Sequence, residues 1–228
     1  MAAPPEITCT NLSGKFVMVV KFLLSRAWVN LTRYKNKTLS DDIDSMLALQ
    51  GLSWLTRTAI SLATVVLTIK EYKQEDIYHI DITSVASGLS TTQENRTLDW
   101  QERDHHDRIF GNCRGKSRFW KTGEYKMEGP GTQEDAVFLQ AQKLKDGQTD
   151  SKFLDDEHVQ SWVKNMDEAG WQAEQNWGFE EINGERRYTR RVLVWKGSEF
   201  RRARLVYDYK GQAEKKEDDD DDLAYGEE

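Results

Sequence analysis

The sequence predicts an all-β protein, a closed antiparallel β-barrel of eight to ten strands capped by a helical hairpin. Three observations carry that expectation. Two short amphipathic stretches separated by a glycine lie within residues 40–62. From Ala63 onward the apolar period shortens to two, the spacing of half-buried strands. The strand-like runs then succeed one another through turn residues with no clear long helix between them, the pattern of an antiparallel meander.

In chain order, residues 1–10 read as a loose arm, and Leu12 to Met18, with Gly14, as a short strand. Ser40-Asp41-Asp42 offers an N-cap and first-turn acid, followed by Ile43, Met46, Leu47 and Leu49 at helical spacing. Gly51 ends that helix, and Ser53 caps a second one carrying Trp54, Leu55, Ala59, Ile60 and Leu62. Val65, Leu67 and Ile69 form one face of the next strand, and Tyr78, Ile80 and Ile82 one face of its successor. Further strands are expected at residues 90–100, 108–120, 159–165, 171–182, 185–196 and 200–209. The Gly-, Gln-, Asp- and Lys-rich stretch 123–157 reads as a polar surface insertion with at most a turn or two of helix.

Asn183-Gly184 favours a two-residue type I′ turn and fixes a hairpin register. Ile182 then faces Glu185, Glu180 faces Arg187, Phe179 faces Tyr188 and Trp177 faces Arg190. Trp177, Phe179, Tyr188, Arg190, Val192 and Val194 share a face that reads as interior. The opposite face, with Glu180, Arg187, Asn176 and Arg191, reads as solvated. On the last strand, Ala203, Leu205, Tyr207 and Tyr209 lie on one side, with Arg202, Arg204 and Asp208 on the other.

Charge excludes some functions. The chain of 228 residues carries a net −7, yet residues 214–228 hold nine acids and two lysines and account for all of it. The body, residues 1–213, has thirty basic and thirty acidic groups, so it lacks the basic field that nucleic-acid binding requires. The acidic tail, 214–228, is expected to be disordered. With 38% apolar residues the body can bury a core. Two cysteines, Cys9 and Cys113, make no disulfide framework and suggest a reducing compartment. The opening Met-Ala-Ala-Pro-Pro-Glu lacks the order of a secretory signal, and the most apolar stretch, Val19 to Val29, is eleven residues interrupted by Lys21 and Arg26. A cytoplasmic chain without integral membrane association is expected, and the four Asn-x-Ser/Thr sequons are read as chance.

The order of one strand, two short helices and a meander resembles the intracellular fatty-acid-binding proteins, which with the lipocalins form the calycin group. Leu12-Ser13-Gly14-Lys15-Phe16, Ser40-Asp41-Asp42, Leu47 to Leu52 and Arg57 carry the likeness, with Phe16 where those families usually have Trp. The chain also looks like fungal calycin-like proteins, some of which sit near secondary-metabolite genes. The resemblance implies a cavity for a small hydrophobic ligand. The family's Arg-x-Tyr carboxylate signature on the last strand is absent in that form, because Arg204 and Tyr207 are three apart and face opposite sides. In the family the first strand runs almost directly into the helices, whereas Val19 to Lys35 intervenes here. Those seventeen residues equal fifty-one nucleotides whose codons can hold intron start, branch and end signals, so a retained intron is one reading and a lid insertion the other.

With the tail and this segment set aside, residues 11–213 read as one barrel domain, with a helical hairpin at 36–62. No nucleotide loop or Gly-x-Ser-x-Gly elbow is present, no cofactor is expected, and Asp104-His105-His106-Asp107 reads as a solvated turn rather than a metal site. Polar residues expected to face the interior are the candidates for chemistry. Arg57, His79, Asp81, Trp177, Phe179, Tyr188, Arg190 and Tyr207 are the ligand-contact candidates, with His79, Tyr188 and Arg190 able to move or stabilise a proton. Three functions follow from such a barrel. The first is binding of a lipid, polyketide or terpenoid-like molecule by a monomer or weak homodimer. The second is cofactor-free cyclase or isomerase action on a secondary-metabolite intermediate in the same cavity. The third is a scaffold with a filled interior.

Overall fold

The computed structural model describes residues 1–19, 39–87 and 90–212. The suspected intron or lid insertion at 19–35, the first residues of the expected helical hairpin, and the acidic tail lie outside these residues apart from Val19. The order is β1 (Gly14–Met18), α1 (Asp44–Leu49), α2 (Trp54–Leu62), β2 (Val65–Gln74), β3 (Ile77–Ala86), β4 (Ser90–Thr97), β5 (Arg103–Asp107) and β6 (Gly111–Lys121). Then come α3 (Gln133–Leu139), β7 (Glu157–Asn165), β8 (Gln172–Ile182), β9 (Glu185–Lys196) and β10 (Glu199–Tyr209). The ten strands form one antiparallel sheet in the order β4-β3-β2-β1-β10-β9-β8-β7-β6-β5, curled into a nearly closed barrel. The expected all-β barrel with a helical hairpin is observed, with β4 and β5 as the two edges of the sheet, not laddered to each other among the described residues, and a seam between them.

Local chemistry explains most boundaries. Ser53 Oγ accepts from Thr56 N at 3.2 Å and caps α2, while Gly51 at φ +90° makes the left-handed turn between the helices. Ser40 is not the cap of α1. Its Oγ is bonded to Val206 N and O at 2.9 and 3.3 Å, which ties the root of the hairpin to β10. Asn183 and Gly184 have φ of 56° and 77°, as a type I′ turn requires, and the register of β8 and β9 matches the expectation at every named pair. The strand expected at 108–120 is observed as β6 but starts only at Gly111. Asp107 Oδ1 accepts from Ile109 N and Phe110 N at 2.7 and 2.8 Å, turning the chain so that Asp104 to Asp107 belong to β5 rather than to a solvated turn.

Three segments pack differently from expectation. The arm 1–10 is docked, because Cys9 Sγ donates to Trp177 O at 3.3 Å and Arg186 Nη2 to Ile7 O at 2.9 Å. Ala3, Ile7, Cys9 and Leu12 join Phe16, Trp177 and Tyr188 in one core, so the arm closes that end of the barrel. The outer face of β8–β9 is not solvated. Segment 123–157 lies across it, with Phe138 and Leu139 packed on Leu193 and Trp195 in a second core. A capping box of Thr132 and Asp135 starts α3, and Glu174 anchors the strap by accepting from Tyr125 Oη at 2.7 Å and Gly129 N at 2.8 Å.

Beneath that strap Glu180 and Arg191 are buried to 2% and 0% exposure and form an ion pair of 2.7 Å. Phe138 O and Lys143 O accept two more of the guanidinium's N–H groups, at 3.2 and 2.6 Å. A buried guanidinium this fully bonded has its desolvation offset, which explains why a face rich in charge can be an inner one.

Candidate functional site

The register divides the barrel interior into two levels. β2 and β3 turn Leu67, Ile69, Ile80 and Ile82 inward, and with Phe16, Trp177, Phe179, Tyr188 and Tyr207 these fill the end closed by the arm. Ring centroids lie 5.0 Å apart for Phe16–Tyr188 and 5.3 Å for Tyr188–Tyr207, so this floor is tightly packed. Above it, under the helical hairpin, the side chains are smaller. Ala173, Val192, Val194 and Ala203 face Met46 and Trp171. They leave a chamber of about 580 Å³, within the size range of small-molecule sites. The interior is therefore filled only at its floor.

A polar layer separates the two levels on the β4 side. Glu94 and Arg96 stand opposite Ile82 and Ile80 in the ladder and so point inward. Arg96 Nη2 donates to Glu94 Oε2 at 2.6 Å and Nη1 to Ser161 Oγ at 2.6 Å, reaching across the seam to β7. Trp177 lies between two guanidiniums, with Arg190 4.2 Å and Arg96 5.4 Å from its ring. Arg190 is 5% exposed, its Nε donates to Tyr188 Oη at 3.0 Å, and its Nη2 has no partner among the described residues. Trp177 Nε1 donates to Gln175 Oε1 at 3.1 Å, which brings Gln175 to the chamber wall.

Electrostatics fixes the charge states here. Burial pushes the Glu94 carboxyl up, but the Arg96 and Arg190 guanidiniums outweigh it and hold the group below its usual range. Burial and Arg96 push His105 on β5 down against the pull of Glu94 and Asp107, so its imidazole is neutral at neutral pH. Burial raises both Tyr188 and Tyr207, keeping the phenols protonated. Cys113, on the same wall, is pushed up to about 11 by burial and is a thiol.

The sequence candidates separate into three groups. Trp177, Phe179, Tyr188, Arg190 and Tyr207 come together as the floor, with Arg190 directly below the chamber. His79 and Asp81 project outward instead, because Ile80 and Ile82 occupy the apolar interior face. His79 stacks on Tyr72 at 5.1 Å and 10°. Arg57 is taken up within the helical hairpin by Asp44 Oδ1 at 2.8 Å and Leu52 O at 2.9 Å. Glu94, Arg96, Ser117, Ser161, His105 and Gln175 were not expected. The run from Ser90 to Thr97 has no apolar residue on either face, so its alternation carries no inside-or-outside sign. Its pairing with Ile80 and Ile82 supplies that sign.

No family model matches the chain. The probable pericyclase scpY of Mollisia scopiformis is 28% identical over 213 residues, covering 92% of this chain and 95% of its own length. The pericyclase pydY of an Acremonium species is 28% identical over 179 residues, covering 77% and 88%. Among solved structures, the apo form of Caenorhabditis elegans lipid binding protein 8 is 12% identical with a TM-score of 0.48, covering 92% of this chain and 99% of its own. The Schistosoma mansoni fatty acid binding protein in complex with arachidonic acid is 12% identical with a TM-score of 0.46, covering 89% and 98%.

Proposed function

We propose that this chain is a cofactor-free cyclase of the pericyclic type, closing a ring in a linear hydrophobic substrate folded inside the chamber. The observation that supports this most is an arginine–carboxylate pair, Arg96–Glu94, on the wall of a chamber of about 580 Å³ whose β8–β10 side is apolar. The chain that carries it aligns over 92% of its length with a probable pericyclase.

A pericyclic ring closure rearranges electrons within one molecule, so mass is unchanged and no group leaves. The protein's contribution is then geometry and field. Walls formed by Met46, Trp171, Val192 and Leu205 hold a flexible chain in a folded conformer, replacing a rare solution geometry with a persistent one. Arg96 donates to a carbonyl conjugated with the reacting alkene, drawing electron density from it as the new bonds form. Glu94 holds that guanidinium in place at 2.6 Å, and Arg190 across Trp177 adds positive potential from below. In this mechanism Tyr188 and Arg190 shape the floor, and no proton transfer by His79 is required.

The test is incubation with a linear amide bearing a conjugated diene and an alkene conjugated to its carbonyl. Conversion to an isomer of identical mass, faster than in buffer, is the expected result, and Arg96→Gln slows it roughly tenfold to a hundredfold while binding persists. Recovery of bound probe unchanged favours a second reading, carriage of a hydrophobic ligand, which the apolar walls of Val194, Trp171 and Met46 support equally.

A further inference from the structure

The chamber borders every residue from 92 to 97 on β4 and from 103 to 107 on β5. Consecutive residues of a strand point to opposite faces, so a space that meets all of them passes around the edges of both strands. β4 and β5 end the sheet order and share no ladder. Among the described residues the barrel is thus open sideways along the β4–β5 seam. Exposure agrees: His105, opposite Cys113 and therefore turned toward the interior, is exposed. A second mouth of about 560 Å³ lies beneath the helical hairpin, bounded by Leu52, Thr56 and Ala169 and sharing Ile60, Ile109 and Phe110 with the chamber.

The two openings differ in chemistry. The hairpin mouth sets Leu52, Ile60 and Phe110 beside two charged residues, Arg108 and Asp167, whereas the seam side brings Glu94, Asp104 and Asp107 together with Arg96, Arg103 and Lys116. Arg103, Asp104 and Lys116 are already taken up by Asp99, Arg114 and Glu128, and Asp107 accepts from Ile109 N and Phe110 N, so these groups offer no free charge to hold an acid or a base. What faces the chamber is the Glu94–Arg96 pair, an acceptor beside a donor. On the inner face of β4, Glu94 accepts and Arg96 donates two residues apart, and Arg96 Nε has no partner among the described residues.

We propose that the seam binds the head group of an amphipathic substrate, an uncharged group carrying both hydrogen-bond donors and acceptors, such as an amide. The head extends through the seam to solvent while the hydrocarbon occupies the apolar chamber. Glu94 takes the N–H and Arg96 the carbonyl. This rests on the chamber being the substrate site, as under the proposed function, but not on catalysis. It also fixes an orientation, with the reacting chain next to the polarised carbonyl and any bulky extension outside the barrel.

Calorimetric titration at pH 7 with N-dodecanoylglycinamide, N-dodecanoyltetraglycinamide and dodecanoate tests it. The two amides are expected to bind within about threefold of each other and dodecanoate at least about tenfold more weakly. Asn95→Trp or Gln101→Trp, at exposed seam positions, lowers affinity for the long-headed amide by about tenfold or more, and Thr56→Trp at the other mouth leaves its head-length tolerance unchanged. A long head that abolishes binding to the wild type, tighter binding of dodecanoate, or indifference to both seam variants overturns the proposal while leaving the chamber as a binding site. Failure of all three probes to bind overturns the chamber reading itself.

Discussion

Arg191 has both its charge and its hydrogen bonds supplied beneath the strap, and the consequence can be measured. Glu180→Leu leaves this guanidinium buried without its carboxylate, which costs about 3 kcal/mol, whereas Arg204, at 18% side-chain exposure, can turn to solvent. Adding Arg191→Leu removes the orphaned charge, so the double variant recovers most of the loss in chemical denaturation. Additive losses would place the stabilising effect elsewhere. Residues such as these also show where sequence reading stops. The partner of Glu180 was expected to be Arg187 across the ladder, and that register is observed. Yet Glu180 bonds Arg191, four residues along β9 from its ladder partner, and Arg204 on β10, while Arg187 bonds Glu185 on its own strand and Asp208 on β10, because long side chains reach past the residue opposite. Pairing by backbone register was legible, while pairing by side-chain reach was not.

Elements introduce opposing pH dependences. Glu71 on β2 is pushed up to about 7 by burial, against the pull of the Leu12 N–H it accepts. His158 on β7 is pushed down to about 4 by burial. A carboxyl raised from its ordinary 4.5 to about 7 gives stability that is full below pH 4.5 and lost as pH rises through 7. A histidine lowered from 6.5 to about 4 gives stability that is full above pH 6.5 and lost as pH falls through 4. Each is worth at most roughly 3 kcal/mol, and between pH 4.5 and 6.5 the two slopes oppose and largely cancel. Glu71→Gln therefore makes stability climb with pH across that window, and His158→Gln makes it fall. Urea midpoints measured from pH 4 to 7 check this, and parallel profiles for the two variants would contradict it. At this scale the helical hairpin and the β8–β9 turn were legible, because Gly51 and Asn183-Gly184 encode backbone angles directly. The strap over the outer face was not. The residues it brings to that core, Tyr125, Met127, Phe138 and Leu139, are spread over fifteen positions, and only their meeting with Leu193 and Trp195 makes a core.

For the whole molecule, function depends on how the sheet is left open. Burial fills the floor with aromatic rings and leaves the upper level lined by alanine and valine, so the chamber follows from side-chain volume along β8–β10. The unpaired edges of β4 and β5 then decide where polar groups can enter. A reader of the sequence could assign the aromatic face of β8–β9 to the interior. The same reader could not orient Glu94 and Arg96, whose strand is polar throughout. A chamber built from L-residues is chiral, and a ring closed inside it inherits one handedness, which an uncatalysed closure of an achiral chain cannot do. Chiral chromatography of the product formed from the linear diene amide is thus the most direct measurement. One enantiomer in large excess, collapsing toward an equal mixture when Val192→Trp fills the chamber, is the expected result. Equal enantiomers at the buffer rate with the wild-type chain would contradict the cyclase reading.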